Sequence, residues 1–530
     1  MLKRGGILGV GLLSAALSLP AQTKLSPLQR NIVIEESKVT QANLNDGRPI
    51  FISQPEVDYS GLRANPVDSS EDPLAKQIQA WFDEGSAAGN VGDVYENRDH
   101  NHSGLKLKRF GQFARIRYSP QLRDLGADYG AKLNMANDRP SIINASLAVQ
   151  EKPYTRSMAR GMLHNPELAP QLYSFYRLSD LIFYPEHHDY DKVDCFAVNT
   201  PYLTISQGSS GSDKPFMIAA AYTLASFHPA VKERLHQYGM LAPTVQMLLR
   251  WNLKGIGDAE HYLTGAAHPT VFDQSQIDPH AMTEMAHSLK ANCLPPLAMI
   301  EMIEEKASVS GVDYFDNGAS EILLDTPCAI GRIARSLDQQ RTFRVSAKES
   351  MDIHQRPLTY HWVVLRGDPS RITITPSADG SEAEITVGYQ RDVMVPDKPE
   401  MASHRVDIGV FVDNGTYFSA PAFISIWYPP NETRAYNADG QIESVIYNDP
   451  FKAGAGADHK LAYFKPWTDT YKYKNGQLTG WSRDMDNGED YSFNALGQRV
   501  ETSWFESDKI HSVSYEVSTD NEGRMLVEFE

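Results

Sequence analysis

The sequence has little with which to staple itself: three cysteines, Cys195, Cys293 and Cys328, in 530 residues. None is spaced as CxxC, which excludes a zinc ribbon and a dithiol redox motif. Beyond the N-terminus there is no long apolar run, and a mean hydropathy of -0.41 excludes a multispanning membrane protein. Positive charge is also short. Lys and Arg number 50 against 67 Asp and Glu, and the resulting -17 repels phosphate backbones, so nucleic acid is excluded as a partner. With 41% hydrophobic and 22% charged residues the composition is that of a globular protein, and the length calls for several domains.

What is present begins with an export pattern. Lys3 and Arg4 precede the mostly apolar stretch Ile7 to Leu19, and Leu19-Pro20-Ala21 offers a small residue for cleavage. Residues 1–21 therefore read as a signal peptide, which predicts a periplasmic or secreted protein with no integral membrane segment after cleavage. In an oxidising compartment three cysteines suggest one disulfide and one thiol. Cys293 with Cys328 is the preferred pair, against the alternative of three buried thiols.

Residues 22–74 are rich in Asn, Ser, Pro and Asp and read as an extended lead-in. From 75 to 335 strand-like and helix-like segments alternate. Strands are expected at 141–146, 181–184, 202–206 and 321–325, and helices at 215–227, 229–238, 243–251, 279–289 and 297–306, several of them opened by proline. This alternation predicts a mixed α/β or α+β core domain. After Arg341 the period becomes two, as in Val406, Ile408, Val410 and Val412, so 341–428 reads as a β-sandwich. From 431 to 530 a phrase returns four times, around Gly440, Gly476, Gly497 and Gly523, each a tight turn ending in Gly after Asp, Asn, Leu or Glu, between aromatic or apolar strands. The fold class is thus multidomain: an α/β or α+β N-terminal domain, an immunoglobulin-like sandwich and a β-hairpin repeat region.

Three polar clusters carry the chemistry. The first is the loop Ser206-Gln-Gly208-Ser209-Ser210-Gly211-Ser212-Asp213, which joins a strand to an apolar helix. Gly208, Gly211, Ser212 and Asp213 at a helix head suit an anion, and Ser209 or Ser210 suits a nucleophile. The plainer alternative is a turn in which Ser212 or Asp213 caps the helix. The second is Glu186-His187-His188-Asp189, where His187 and His188 beside Asp189 can bind a divalent metal, serve as base and orienting acid, or belong to a solvated loop. The third, Asn97, Asp99, Asn101 and Ser103, places oxygen ligands at alternating positions like a calcium loop, yet lacks the following Gly and the closing acid, so a polar turn competes with it. No cofactor is indicated.

The segment Val345 to Trp362, with Tyr360-His-Trp362 after a Ser/Asp turn, resembles the start of PKD-type immunoglobulin-like domains. That resemblance implies that Trp362 packs between two sheets. The Gly-turn phrases are similar to the YD-type repeats of Rhs-like secreted proteins. Together, Thr204 to Phe216, His361 to Asp368 and Ser419 to Ser425 resemble a group of secreted bacterial proteins with a PKD-like domain, a likeness that brings no activity with it. The functional expectation is a hydrolase acting on an extracellular polymer or ester, with the β modules for attachment. The alternative is a non-enzymatic surface or glycan-binding protein.

Overall fold

The computed structural model describes residues 31–43, 49–57, 71–90, 92–130, 133–145, 169–188, 190, 194–315, 320–395, 398–448, 466–501, 507–513, 515–519 and 525–529. The signal-peptide expectation, Asp189 and the Gly523 turn lie outside them.

A six-stranded sheet organises the N-terminal half: β1 (Asn31–Ile34), β2 (Val94–Asn97), β3 (Ala114–Tyr118), β4 (Ser141–Asn144), β5 (Asp180–Pro185) and β6 (Leu203–Ser206). Every pairing is parallel, in the order β1-β3-β2-β4-β5-β6. Strands β4, β5 and β6 are buried at every position, as parallel strands covered on both faces must be. The helix Lys214–Ser226 that follows β6 is buried along most of its length, which explains its run of Ala, Met, Phe and Leu. The chain lays β3 on one side of β2 and β4 on the other, so the winding reverses between β2 and β4. In open parallel sheets a crevice forms at the carboxyl ends beside such a reversal.

The expected lead-in is more than a lead-in. Asn31–Ile34 joins the main sheet through β3, and Val39–Asn43, Pro49–Ser53 and Met135–Asn137 form a three-stranded sheet of their own. Short apolar runs suffice where a neighbouring strand supplies the partner.

Two further sheets follow. One orders Glu301–Glu305, Gln340–Ser346, Glu382–Gly388 and Ile372–Pro376, and the other Ile322–Thr326, Ala329–Ile333, Ala422–Trp427, Arg405–Asp413 and Thr359–Arg366. Phe343, Ile385, Val410 and Ile424 from both sheets fall in one hydrophobic core, which also takes in the core of the α/β half. Two expectations are corrected here. The segment 297–306 is not a helix: Glu301–Glu305 pairs antiparallel with Gln340–Ser346, and Glu305 is drawn into salt bridges with Arg332 and Arg341 at 2.9 and 2.8 Å. Strands from before residue 335 belong to these sheets, so the boundary expected at 335–341 falls inside them.

Trp362 is also not the central core group. Its strand is the outer one of the five-stranded sheet, which leaves the ring half-buried with its indole N–H donating to the Gly380 carbonyl at 2.9 Å. Trp427, on an inner strand of the same sheet, is fully buried. The preferred Cys293–Cys328 disulfide is absent: no disulfide joins any of the three cysteines, and Cys328 is buried and donates to the Ala298 carbonyl while Cys293 meets Arg356.

The C-terminal strands from Glu432–Tyr436 to Lys509–His511 form a seven-stranded antiparallel sheet in chain order. Turns through Gly440, Gly476 and Gly497 lie in the left-handed region, as tight hairpins require. The buried Arg483 forks onto Asp469 at 2.8 Å and lies over the rings of Phe315, Trp467 and Phe493.

Candidate functional site

All three polar clusters found in the sequence emerge at the carboxyl end of the parallel sheet. The Asn97–Ser103 loop leaves β2, Glu186 to His188 leave β5, and the Gly208–Asp213 loop leaves β6. The last two are tied together: the His187 N–H donates to the Gly208 carbonyl at 3.2 Å, and the Gly208 N–H donates to Glu186 Oε1 at 2.7 Å. The first is anchored on the strand ends. Tyr95 Oη donates to Asn144 Oδ1 at 2.7 Å and accepts from Asn97 Nδ2 and the Leu105 N–H, while Asn144 Nδ2 donates to the His102 carbonyl at 2.9 Å.

Backbone strain gathers at the same edge. Nine non-glycine residues among those described have positive φ, and five of them sit in these loops: His100 (+48°), Asn101 (+64°), Ser103 (+52°), His187 (+54°) and His188 (+70°). Each costs on the order of 1–3 kcal/mol, and such costs cluster where a loop is held for a purpose other than stability.

Asp213 lies at the head of the Lys214–Ser226 helix, where the capping alternative placed it, but its side chain makes no capping bond. The carboxyl is 1% exposed, and neither oxygen receives a hydrogen bond of good geometry. Burial pushes its pKa up to about 6, and the negative charge of Asp99 adds to the rise. The hydroxyl of Ser103 and the nearby Gly211 and Asp213 backbone favour ionisation but are outweighed. Asp99 is 5% exposed and has the His102 imidazole 3.8 Å away. The edge therefore holds a carboxyl raised to about 6 beside a second acid and a solvent-facing imidazole, a combination suited to moving protons.

The remaining expected residues are placed as follows. Ser209 and Ser210 are exposed at the tip of the loop, and neither hydroxyl is hydrogen-bonded among the described residues. Ser212 Oγ lies 2.8 Å from Ser206 Oγ and holds the loop closed. Gly208 and Gly211 adopt φ of +114° and +106°, a region that side-chain-bearing residues rarely enter. The N–H that would greet an anion at Gly208 already serves Glu186, so the loop's anion is a carboxylate of the chain itself. His187 is half-buried with its ring 5.7 Å from that of Tyr184, and His188 is exposed. Asn97, Asp99 and Asn101 do share one turn, but Asn97 Oδ1 accepts from the N–H groups of Asp99 and Asn101, and Asn101 Oδ1 accepts from Arg115. The amide oxygens offered to a cation are thus occupied. Among the described residues no group of three or more His, Cys, Asp or Glu side chains is arranged to hold a metal.

Sequence reasoning gave Tyr95, Asn144 and Glu186 no role of their own, and named Ser103 only as an oxygen ligand in series with Asn97, Asp99 and Asn101. The available signal was a polar residue closing an otherwise apolar strand, as in Ser141-Ile-Ile-Asn144.

No family model and no curated protein matches this chain. Among solved structures, a nucleoside hydrolase-related hypothetical protein from Saccharophagus degradans, associated with carbohydrate metabolism, is 10% identical. The match covers 55% of this chain and 71% of that one with a TM-score of 0.19, a likeness too small to carry an argument.

Proposed function

We propose that the carboxyl edge of the parallel sheet is the active site of an exported hydrolase that acts by general acid–base chemistry on a neutral polymer such as a glycan, with the β modules serving for attachment. The supporting observation is Asp213, a buried carboxyl raised to about 6 beside the loop that carries Asp99 and Ser103. In the proposed reaction Asp213 gives its proton to the leaving oxygen of the scissile bond. The Asp99 carboxylate takes a proton from the attacking water, whose oxygen forms the new bond, and solvent exchange resets both acids. Glu186 holds the β6 loop in place through Gly208. Three acids at one edge and a chain charge of -17 disfavour phosphorylated or polyanionic substrates.

This reading moves the chemistry away from Ser209 and Ser210, because an exposed hydroxyl without a base is a weak nucleophile. A panel of neutral glycans and esters tests it. Asp213→Asn and Asp99→Asn should each lower turnover by about 10²–10⁴-fold while polymer binding persists, and the two Ser→Ala variants should turn over normally. Binding without turnover by the unmodified protein replaces the hydrolase with the glycan-binding reading, which the exposed, unpaired Ser209 and Ser210 hydroxyls favour.

A further inference from the structure

Arg250 is the most anomalous charge among the described residues. It lies on the helix Leu241–Trp251, is 0% exposed, and none of its three guanidinium nitrogens has a hydrogen-bond partner. The rings of Phe272 and Phe423 lie 5.0 and 5.4 Å from its central carbon. One ring comes from the segment beside β6 and the other from the inner sandwich strand Ala422–Trp427, so the group sits where the two halves of the large core meet. Aromatic contacts of this kind contribute about 2 kcal/mol each when desolvated, short of the cost of desolvating a guanidinium. They also offer no acceptor to its N–H groups.

Deprotonation is no escape. Burial lowers the Arg250 pKa only to about 10, and the groups acting on it are the phenols of Tyr262 and Tyr176, with no carboxylate among them. The positive charge is felt by its surroundings: burial and then Arg250 hold His268 well below the ordinary imidazole range. Elsewhere in the described interior the buried guanidiniums of Arg98, Arg332, Arg405, Arg434 and Arg483 each meet a carboxylate. Arg250 departs from that rule.

We propose that Arg250 is the centre of an enclosed site for a small monovalent anion of halide size, bound through the guanidinium N–H groups and sealed in when the α/β half closes on the sandwich. An anion supplies both the missing charge and the missing acceptors, and full enclosure favours a small ion over an organic carboxylate. This site is separate from the carboxyl edge and does not depend on the hydrolase reading.

The test uses the full chain. At constant ionic strength, replacing gluconate by chloride should raise the Tm of the unmodified protein with the logarithm of chloride concentration, as ligand linkage requires. Arg250→Met, which keeps the length and removes the charge, should fold and lose that dependence. Crystals from protein exchanged into bromide should show an anomalous peak beside the guanidinium, from bromide or from chloride carried through purification. Such a peak supports the proposal even where Tm is flat, since a trapped ion exchanges slowly. Density of water size without an anomalous signal overturns it, as does a chloride effect that persists in Arg250→Met. Should Arg250→Met fail to fold, the anomalous signal in the unmodified protein decides alone.

Discussion

Two buried aspartates, Asp213 at the carboxyl edge of the parallel sheet and Asp194 at the seam between that sheet and the sandwich, face the same desolvation and end in opposite states. Burial would raise both. At the seam Arg405 and Arg366 outweigh it, and Asp194 is held below the ordinary carboxylate range, with Ser403 Oγ donating at 2.9 Å and the Phe196 N–H at 3.1 Å. Arg405 in turn reaches Asp407 at 2.8 Å, the Phe196 carbonyl and Thr270, so the network ties the two halves together. At the edge no guanidinium answers Asp213, and burial wins. A satisfied buried acid joins elements, while an under-satisfied one keeps a proton available at a cost in stability.

The largest expected effect lies at the seam. Arg405→Met leaves Asp194 and Asp407 buried with one cation fewer, and should cost about 3–5 kcal/mol in the urea midpoint multiplied by its slope. An unchanged midpoint would mean that the seam network does not hold the halves together.

Next comes the edge. The folded pKa of Asp213, about 6, stands above its ordinary value of 3.8, so the folded state binds the extra proton between these limits. Stability therefore falls as pH rises from about 4 to about 6, by on the order of 2–3 kcal/mol. Asp213→Asn should reduce this decline, leaving the share of Asp180 and Asp93, which burial also raises, to about 7 and about 6, and be the more stable protein at neutral pH even as turnover is lost. The Asp194 contribution has the opposite sign: it is present above the ordinary carboxylate value and lost as pH falls through the lowered folded pKa. Chemical denaturation across pH, with and without Asp213→Asn, separates the two. A variant with the decline intact would place the titrating group elsewhere.

A smaller effect probes the strained loop. His188→Val puts a β-branched residue at φ +70° and should be about 1–2 kcal/mol less stable than His188→Gly, which enters that region without steric cost. Equal Tm values for the two variants would remove strain from the account of this loop. The smallest concerns the serines: Ser209→Ala and Ser210→Ala should each leave stability within about 0.5 kcal/mol, since both side chains are exposed and unpaired.

Much of the secondary structure was legible without coordinates. The helices at 215–227, 229–238, 243–251 and 279–289 and the strands at 141–146, 181–184, 202–206 and 321–325 all appear within a few residues of their expected bounds. Amphipathic period, proline at the first turn and glycine in the hairpins are local properties, readable within one segment. The segment 297–306 shows where local reading stops: its pattern suits a helix, and only a distant partner strand and two arginines make it extended. Trp362 and Trp427 make the same point, because burial depends on whether a strand is outer or inner, which no single segment encodes.

The sequence by itself determined three polar clusters, their positions after strands, and the change from helical to alternating period. Only the tertiary structure decided what the clusters do to each other. Parallel order brings the ends of β2, β5 and β6 to one edge, where Gly208 is claimed by Glu186 and the ring of amides around Asn97 closes on itself. It also sets Asp213 beside Asp99, more than a hundred residues away, without a cation between them. The proton affinity of a carboxyl is fixed by the charges and the solvent around it, and those come from segments that the chain brings together only when it folds.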